Sequence, residues 1–263
     1  MKAKVNGIEV NYEIHGKEGA PWLTFSHSLA CTLRMWDPQV AAFQDRFRIL
    51  LYDTRGHGGS ESPKGAYTLD TLAEDLRQLL AELKIKRTHY VGLSMGGMIG
   101  QVVALADPGV FDRVVLADTG HTQTPETKKQ WEERIKTAET RGMQPLVQPT
   151  LERWFTAPFR NQPIVKKIGE LIASTPVPGY VGCCHAISNL NTTARLKDIR
   201  NPVLAITGEE DAAAPGTRYI GENVPGARLV VLAGAAHIAN IEQAEAFNRA
   251  LAEFLSSPAS GRA

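Results

Sequence analysis

Thr88-His89-Tyr90-Val91-Gly92-Leu93-Ser94-Met95-Gly96-Gly97 is the stretch from which the fold is read. Residues 88–93 form a strand pattern, and residues 95–106 read as a helix that stops at Pro108. Between them lies the pattern G-x-S-x-G. A strand that turns abruptly into a helix forces the corner residue, Ser94, into strained dihedrals. Glycines two positions before and after it remove the side chains that would clash at such a turn. The serine hydroxyl is then held clear of the sheet, beside the backbone N–H groups and partial positive charge of a helix N-terminus. This is the local form of a nucleophile elbow.

Outward from this corner, strand and helix patterns alternate. Asn6-Gly7 supplies the positive φ angles of a tight hairpin turn, and Ile8, Val10, Tyr12 and Ile14 alternate along the strand that follows. Residues 22–26 and 47–52 read as buried strands with a helix over 36–47 between them. Leu72, Leu76, Leu79, Leu80 and Leu83 share one face of a helix over 69–83. Residues 114–117, 202–207 and 227–232 read as further strands, and 242–255 as a closing helix. The expected class is α/β, with a mostly parallel central sheet flanked by helices. Residues 121–197 are helical in pattern and offer no strand. They are expected to form a helical lid inserted into one core made of residues 1–120 and 198–263. The small, polar tail 256–263 is expected to fray.

The 263 residues carry 29 Lys and Arg against 28 Asp and Glu, a net charge of +1, so neither nucleic acid nor a membrane surface is an expected partner. Hydrophobic residues at 43% and charged residues at 22% match a globular chain. No apolar run approaches the ~18 residues of a membrane span. The N-terminus turns polar at once, without the apolar core of a signal peptide. Cys31, Cys183 and Cys184 cannot all pair within the chain. A reducing cytoplasm is the compartment these features imply. Neither metal-ligand spacing nor a G-x-G-x-x-G nucleotide loop occurs, so no metal and no cofactor is expected.

A nucleophilic serine needs a base, and the base needs an orienting acid. Asp211 follows the strand ending at Thr207. His237 follows the next strand, between small residues that leave room for an imidazole. Ser94, Asp211 and His237 therefore lie at three strand ends facing one cleft. Asp118 also follows a strand and is the competing acid, whereas Glu209 and Glu210 fit a solvated loop. His15, His89 and His185 read as surface or structural residues, and His57 and His121 as residues near the mouth of the cleft. The backbone N–H of Met95 and that of Leu29, in His27-Ser28-Leu29-Ala30, are the expected oxyanion donors. Cys31 lacks an elbow and reads as a small buried residue.

These motifs, with the loop Asp53-Thr54-Arg55-Gly56-His57-Gly58-Gly59-Ser60, resemble the α/β-hydrolase fold family over essentially the whole chain. Residues 33–39, 92–97 and 179–187 resemble 3-oxoadipate enol-lactonases of aromatic catabolism. Those enzymes typically carry Asn-Ser-Leu-Gly where this chain has His27-Ser28-Leu29-Ala30. The resemblance implies a serine hydrolase that takes a small-molecule ester or lactone, with a general short-chain carboxylesterase as the alternative. Perhydrolase chemistry and a non-catalytic small-molecule receptor are further variants of the same frame. For a lactone bearing a carboxylate, the lid should supply a cation from among Arg134, Arg141 and Arg153, with Trp131, Trp154 and Phe155 as apolar walls.

Overall fold

The strand-to-helix corner lies in the middle of an eight-stranded sheet. The computed structural model describes residues 1–257 of the chain; of the tail 256–263 expected to fray, Ser256 closes a helix and Ser257 N–H is bonded to the Phe254 carbonyl, and the rest lies outside the described residues. The hairpin forms at Asn6-Gly7, where φ is 46° and 78°, and pairs β1 (Lys2–Val5) antiparallel with β2 (Ile8–Gly16). The strands β3 (Trp22–Ser26), β4 (Arg48–Tyr52), β5 (Thr88–Leu93), β6 (Phe111–Ala117), β7 (Val203–Gly208) and β8 (Arg228–Leu232) follow. The order across the sheet is β1-β2-β4-β3-β5-β6-β7-β8. β2 meets β4 antiparallel, and every later pair is parallel.

Parallel register brings the ends of the inner strands to one edge. Ser26 lies opposite Gly92, Leu93 opposite Ala117, Ala117 opposite Ile206, and Gly208 opposite Leu232. The loops after β3, β5, β6, β7 and β8 therefore leave the sheet side by side, where ligands bind in open parallel sheets. The inner strands are buried, as the apolar runs Val114–Ala117 and Val203–Ile206 require of a sheet with helices on it.

The helices are α1 (Asp37–Phe43), α2 (Leu69–Glu82), α3 (Met95–Ala106), α4 (Pro125–Arg141), α5 (Gln144–Trp154), α6 (Pro163–Ser174), α7 (Val177–Ser188), α8 (Ala214–Asn223), α9 (Ala239–Glu242) and α10 (Ala244–Ser256). Four of them, α4 to α7, lie between β6 and β7. Three expectations need correction. The helix expected over 36–47 is shorter, because the carbonyl of Gln44, just past α1, is drawn off by the Lys17 N–H. The single helix expected over 242–255 is broken at Gln243, where Glu242 turns inward to the protein and Gln243 donates to the Gly234 carbonyl. The helix α8 was not expected; Pro215 sits in its first turn, where a missing N–H costs nothing.

α7 is nearly buried on all sides. Gly56 and Gly179 meet backbone to backbone, and a Cβ on either would overlap the other residue. Nearby, Tyr67 N–H donates to the Gly182 carbonyl at 3.1 Å, with no room for a side chain on Gly182 beside the Tyr67 ring. The glycine-rich run 179–182 thus docks the helical segment onto the loop after β4. We expect Gly179→Ala to lower the denaturant midpoint by the equivalent of at least about 1–3 kcal/mol, the usual cost of overpacking. Urea titration followed by tryptophan fluorescence checks it, and an unchanged midpoint would show the contact to be slack.

Candidate active site

Ser94 sits between β5 and α3 at φ 55° and ψ −113°, a conformation that costs a residue with a side chain about 1–3 kcal/mol. The surroundings enforce it. A Cβ on Gly92 would strike the Gly96 carbonyl, one on Gly96 the Ser26 carbonyl, and one on Gly97 the Thr119 side chain. The Ser94 N–H donates to the Ala117 carbonyl at 2.8 Å, and the Thr119 hydroxyl donates to the Ser94 carbonyl at 2.8 Å. Both peptide groups at the corner are tied to β6 and the loop after it.

The Ser94 hydroxyl lies 3.0 Å from His237 Nε2, and His237 Nδ1 lies 2.9 Å from Asp211 Oδ1. Asp211 is buried, and its Oδ1 also accepts the Ala213 N–H at 3.0 Å. Burial by itself would raise the Asp211 carboxyl. The His237 imidazole, the bond they share and the Ala213 N–H outweigh burial and hold it below the usual carboxylate range. An ionised Asp211 makes His237 carry its proton on Nδ1 and leaves Nε2 to accept from the serine. The loops carrying acid and base are joined directly: Glu210 N–H donates to the Ala235 carbonyl at 2.9 Å. Glu209 and Glu210 themselves are exposed, and Asp118 makes no hydrogen bond to His237.

Sequence reasoning missed Glu242, which steadies the base. Its carboxylate accepts the Ala236 N–H at 2.8 Å and the Thr156 N–H at 2.9 Å, and Ile238 N–H donates to the Trp154 carbonyl at 3.2 Å. The His237 loop is thereby stitched to the end of α5. A lone Glu near the start of an amphipathic helix gave no signal of this.

The loop 27–30 reaches the same edge. Among the described residues, neither the Leu29 nor the Met95 N–H is taken up by another group of the protein, and Leu29 borders the cavity over Ser94. Two buried imidazoles brace this loop. His27 Nε2 accepts the Thr54 N–H at 2.8 Å, and its Nδ1 donates to the Ser28 carbonyl at 2.7 Å. His57 Nε2 accepts the Ala30 N–H at 2.9 Å. His57 thus supports the loop from beneath and does not line the cavity. Ala30 has φ of 56°, in the left-handed region that favours glycine, so this bond secures a strained turn. Cys31 is fully buried and its thiol is pushed up by burial, which leaves it inert.

A cavity of about 530 Å³ opens over Ser94 and His237. Trp131 and Arg134 of α4 and Arg153 and Trp154 of α5 line it; Arg141 and Phe155, considered from the sequence, do not. The Arg134 guanidinium lies 4.7 Å from the centre of the Trp131 ring, whose N–H is held by Gln123. Trp154 is buried with its indole N–H unpartnered, 6.1 Å ring to ring from His237. His121 lines the mouth, stacked on Tyr219 at 4.2 Å. Tyr219 belongs to the unexpected α8, and Met98 of α3 also lines the cavity. No group of three or more His, Cys, Asp or Glu among the described residues is placed to hold a metal ion. None of the described helices is long and apolar enough to cross a membrane.

A family model described as the alpha/beta hydrolase fold matches residues 21–244. The chain belongs to the α/β-hydrolase fold family. This α/β-hydrolase is 37% identical over 253 residues to 3-oxoadipate enol-lactonase 2 of Acinetobacter baylyi, covering 93% of this chain and 92% of that one. It matches the crystal structure of the enol-lactonase from Burkholderia xenovorans at a TM-score of 0.94 and 40% identity, over 98% of this chain and 100% of that chain. A thermophilic esterase from Thermogutta terrifontis, studied with malate bound, is similar at a TM-score of 0.90 and 26% identity, over 97% and 98% of the two chains.

Burial, and then the neighbouring His27, push the His57 imidazole from 6.5 down to about 3. In the unfolded hydrolase this imidazole takes up its proton near the ordinary value. Between there and about 3 the unfolded state binds the extra proton, so this group removes stability as pH falls through that window. We expect the urea midpoint to fall from about pH 7 to about pH 4, and His57→Gln to flatten part of that fall. An identical slope in the variant would acquit His57.

Proposed function

We propose that this α/β-hydrolase is a serine hydrolase that cleaves a carboxylic ester or lactone through an acyl-enzyme. Within that class, a carboxylate-bearing enol-lactone of the 3-oxoadipate type is the substrate. The observation that carries the reading is the unbroken line from Asp211 through His237 to the Ser94 hydroxyl, at 2.9 and 3.0 Å. In this reading His237 takes the Ser94 proton as the serine oxygen attacks the carbonyl. The Leu29 and Met95 N–H groups receive the oxyanion, and Asp211 holds the imidazole in the required tautomer. Collapse of the tetrahedral species opens the lactone, with His237 returning the proton to the leaving oxygen. Water then attacks the acyl-enzyme as it loses a proton to His237, and the second tetrahedral species collapses with cleavage of the acyl–Ser94 bond, His237 returning the proton to the Ser94 oxygen as the acid leaves. No cofactor has a step in it.

The substrate class rests on the cavity and on the relatives. The helices α4 to α7 act as a lid, and Arg134, backed by the Trp131 ring, offers a cation to a substrate carboxylate, with Trp154 as an apolar wall. Arg153 lines the same space. The departure at His27 and Ala30 from the oxyanion loop typical of enol-lactonases favours the second reading, a general short-chain carboxylesterase.

Ser94→Ala should keep the fold and lose at least about 10⁴-fold in kcat, and Asp211→Asn should lose about 10⁴-fold. A folded, active Ser94→Ala protein would refute the nucleophile. The substrate class is tested by kcat/KM for 3-oxoadipate enol-lactone against a neutral short-chain p-nitrophenyl ester. We expect a ratio far above one, and we expect Arg134→Met to raise KM about tenfold or more for the lactone while sparing the neutral ester. A ratio below one selects the carboxylesterase.

A further inference from the structure

Asp118 is a buried carboxyl that the proposed reaction leaves without a task. It follows β6 and is fully buried, with φ of 46°. Its Oδ1 accepts the Gly208 N–H at 2.8 Å, and its Oδ2 meets no donor. Asp211, in the loop after β7, is in the same condition. Its Oδ1 is engaged by His237 and by Ala213, while its Oδ2 meets no donor. A buried acceptor left without a partner is destabilising, and here two neighbouring carboxyls each have one.

One proton resolves both vacancies, because a neutral carboxyl donates through one oxygen where an ionised carboxyl only accepts. Two carboxyls that share one buried site disfavour double ionisation, and their surroundings decide which keeps the proton. Asp211 faces the His237 imidazole. Asp118 is driven well above the usual carboxylate range by burial first and by the Asp211 charge second, and the Gly208 N–H offsets only part of this. The charged group acting on Asp118 is Asp211 from the loop after β7, with His237 beyond it from the loop after β8. Thr119, next to Asp118, meets the neutral Thr217 of α8, and from α4 and α5 Arg134 and Arg153 line the same cavity.

We propose that Asp118 keeps its proton at neutral pH and donates it in a hydrogen bond to Asp211, and so serves as a positioning residue that holds the Asp211 carboxylate toward His237. The role rests on the reading of Ser94, His237 and Asp211 as a catalytic triad. As a neutral donor, Asp118 fixes the orienting acid without adding a second negative charge beside the base. A second charge, or an Asp211 stripped of its donor, would keep the imidazole protonated to higher pH and carry the acid limb of activity upward.

The test compares the full-length wild type, Asp118→Asn and Asp118→Leu in ester hydrolysis across pH, with folding checked by circular dichroism. The Asn amide is a donor that cannot ionise. It should hold kcat/KM within about threefold and leave the acid limb in place. Leu offers no donor. It should lower kcat about tenfold or more with KM little changed, and move the acid limb up by about half a pH unit or more. The infrared difference spectrum of resting wild type minus Asp118→Asn at neutral pH should contain the carbonyl band of a protonated carboxyl. That readout needs neither turnover nor a folded Leu variant, so it stands apart from any failure of the triad reading. Absence of the band overturns the proposal. So does an Asp118→Asn acid limb displaced downward by about a unit, the mark of a lost negative charge. A folded Leu variant that loses kcat with an unmoved limb would reduce Asp118 to a structural part.

Discussion

The site depends on how closely α3 approaches the strands beneath it. Gly96 rests against the Ser26 carbonyl, Gly92 against the Gly96 carbonyl, and Gly100 against the Tyr90 ring. The Tyr90 hydroxyl donates to the Gly96 carbonyl at 2.6 Å, and the Ser26 hydroxyl is paired with Tyr52 at 2.8 Å. A methyl group at these glycines would lift the helix, and the backbone at Ser94 would relax out of its strained turn. The strain is maintained because the packing beneath it has no looser arrangement to adopt.

Buried polar groups form a second layer of constraint under the same edge. The imidazoles of His27 and His57 hold the loop 27–30 by accepting backbone N–H groups, and they can do so only while neutral. Burial is the main source of that neutrality, since it disfavours the charged form, and at His57 the neighbouring His27 adds to it. Asp53 braces the neighbouring loop as an acceptor. Its carboxylate accepts the Leu33 and Gly59 N–H groups and the Asn11 amide, and so closes the loop after β4 around the start of the chain segment that enters α1. Near this loop Arg55 pairs with the buried Asp75, each satisfied by further bonds from or to Asn6. Charges are kept inside only where donors and acceptors are complete.

The helical segment between β6 and β7 is fastened at two places with different chemistry. At α7 glycine packs against glycine, with one hydrogen bond from the Tyr67 N–H to the Gly182 carbonyl beside it. At the end of α5 the fastening is polar, through Glu242 and the Trp154 carbonyl. The second fastening shares its residues with the His237 loop, so the wall of the cavity and the base are positioned by one set of bonds.

Much of this was legible in one dimension. Strand and helix periodicity across residues 88–106 carried the corner at Ser94, because steric rules at a tight turn act between near neighbours. The spacing of Asp211 and His237 after successive strands carried the rest of the line, since parallel strands bring their ends to a common edge. Other features were decided only by the tertiary structure. α8 begins in a run of alanines with Pro215 and Gly216 and has no strong apolar period, so its helicity and Tyr219 emerge only where it packs on β7. Glu242 is only the first residue of an expected helix until Ala236 and Thr156 are brought to it by the fold. His57 and Asp118 could be placed near the edge from sequence, but not given a protonation state. Sequence fixes which groups a chain carries and their local turns; burial and the partners at each atom come from segments far apart, and those decide where the protons sit.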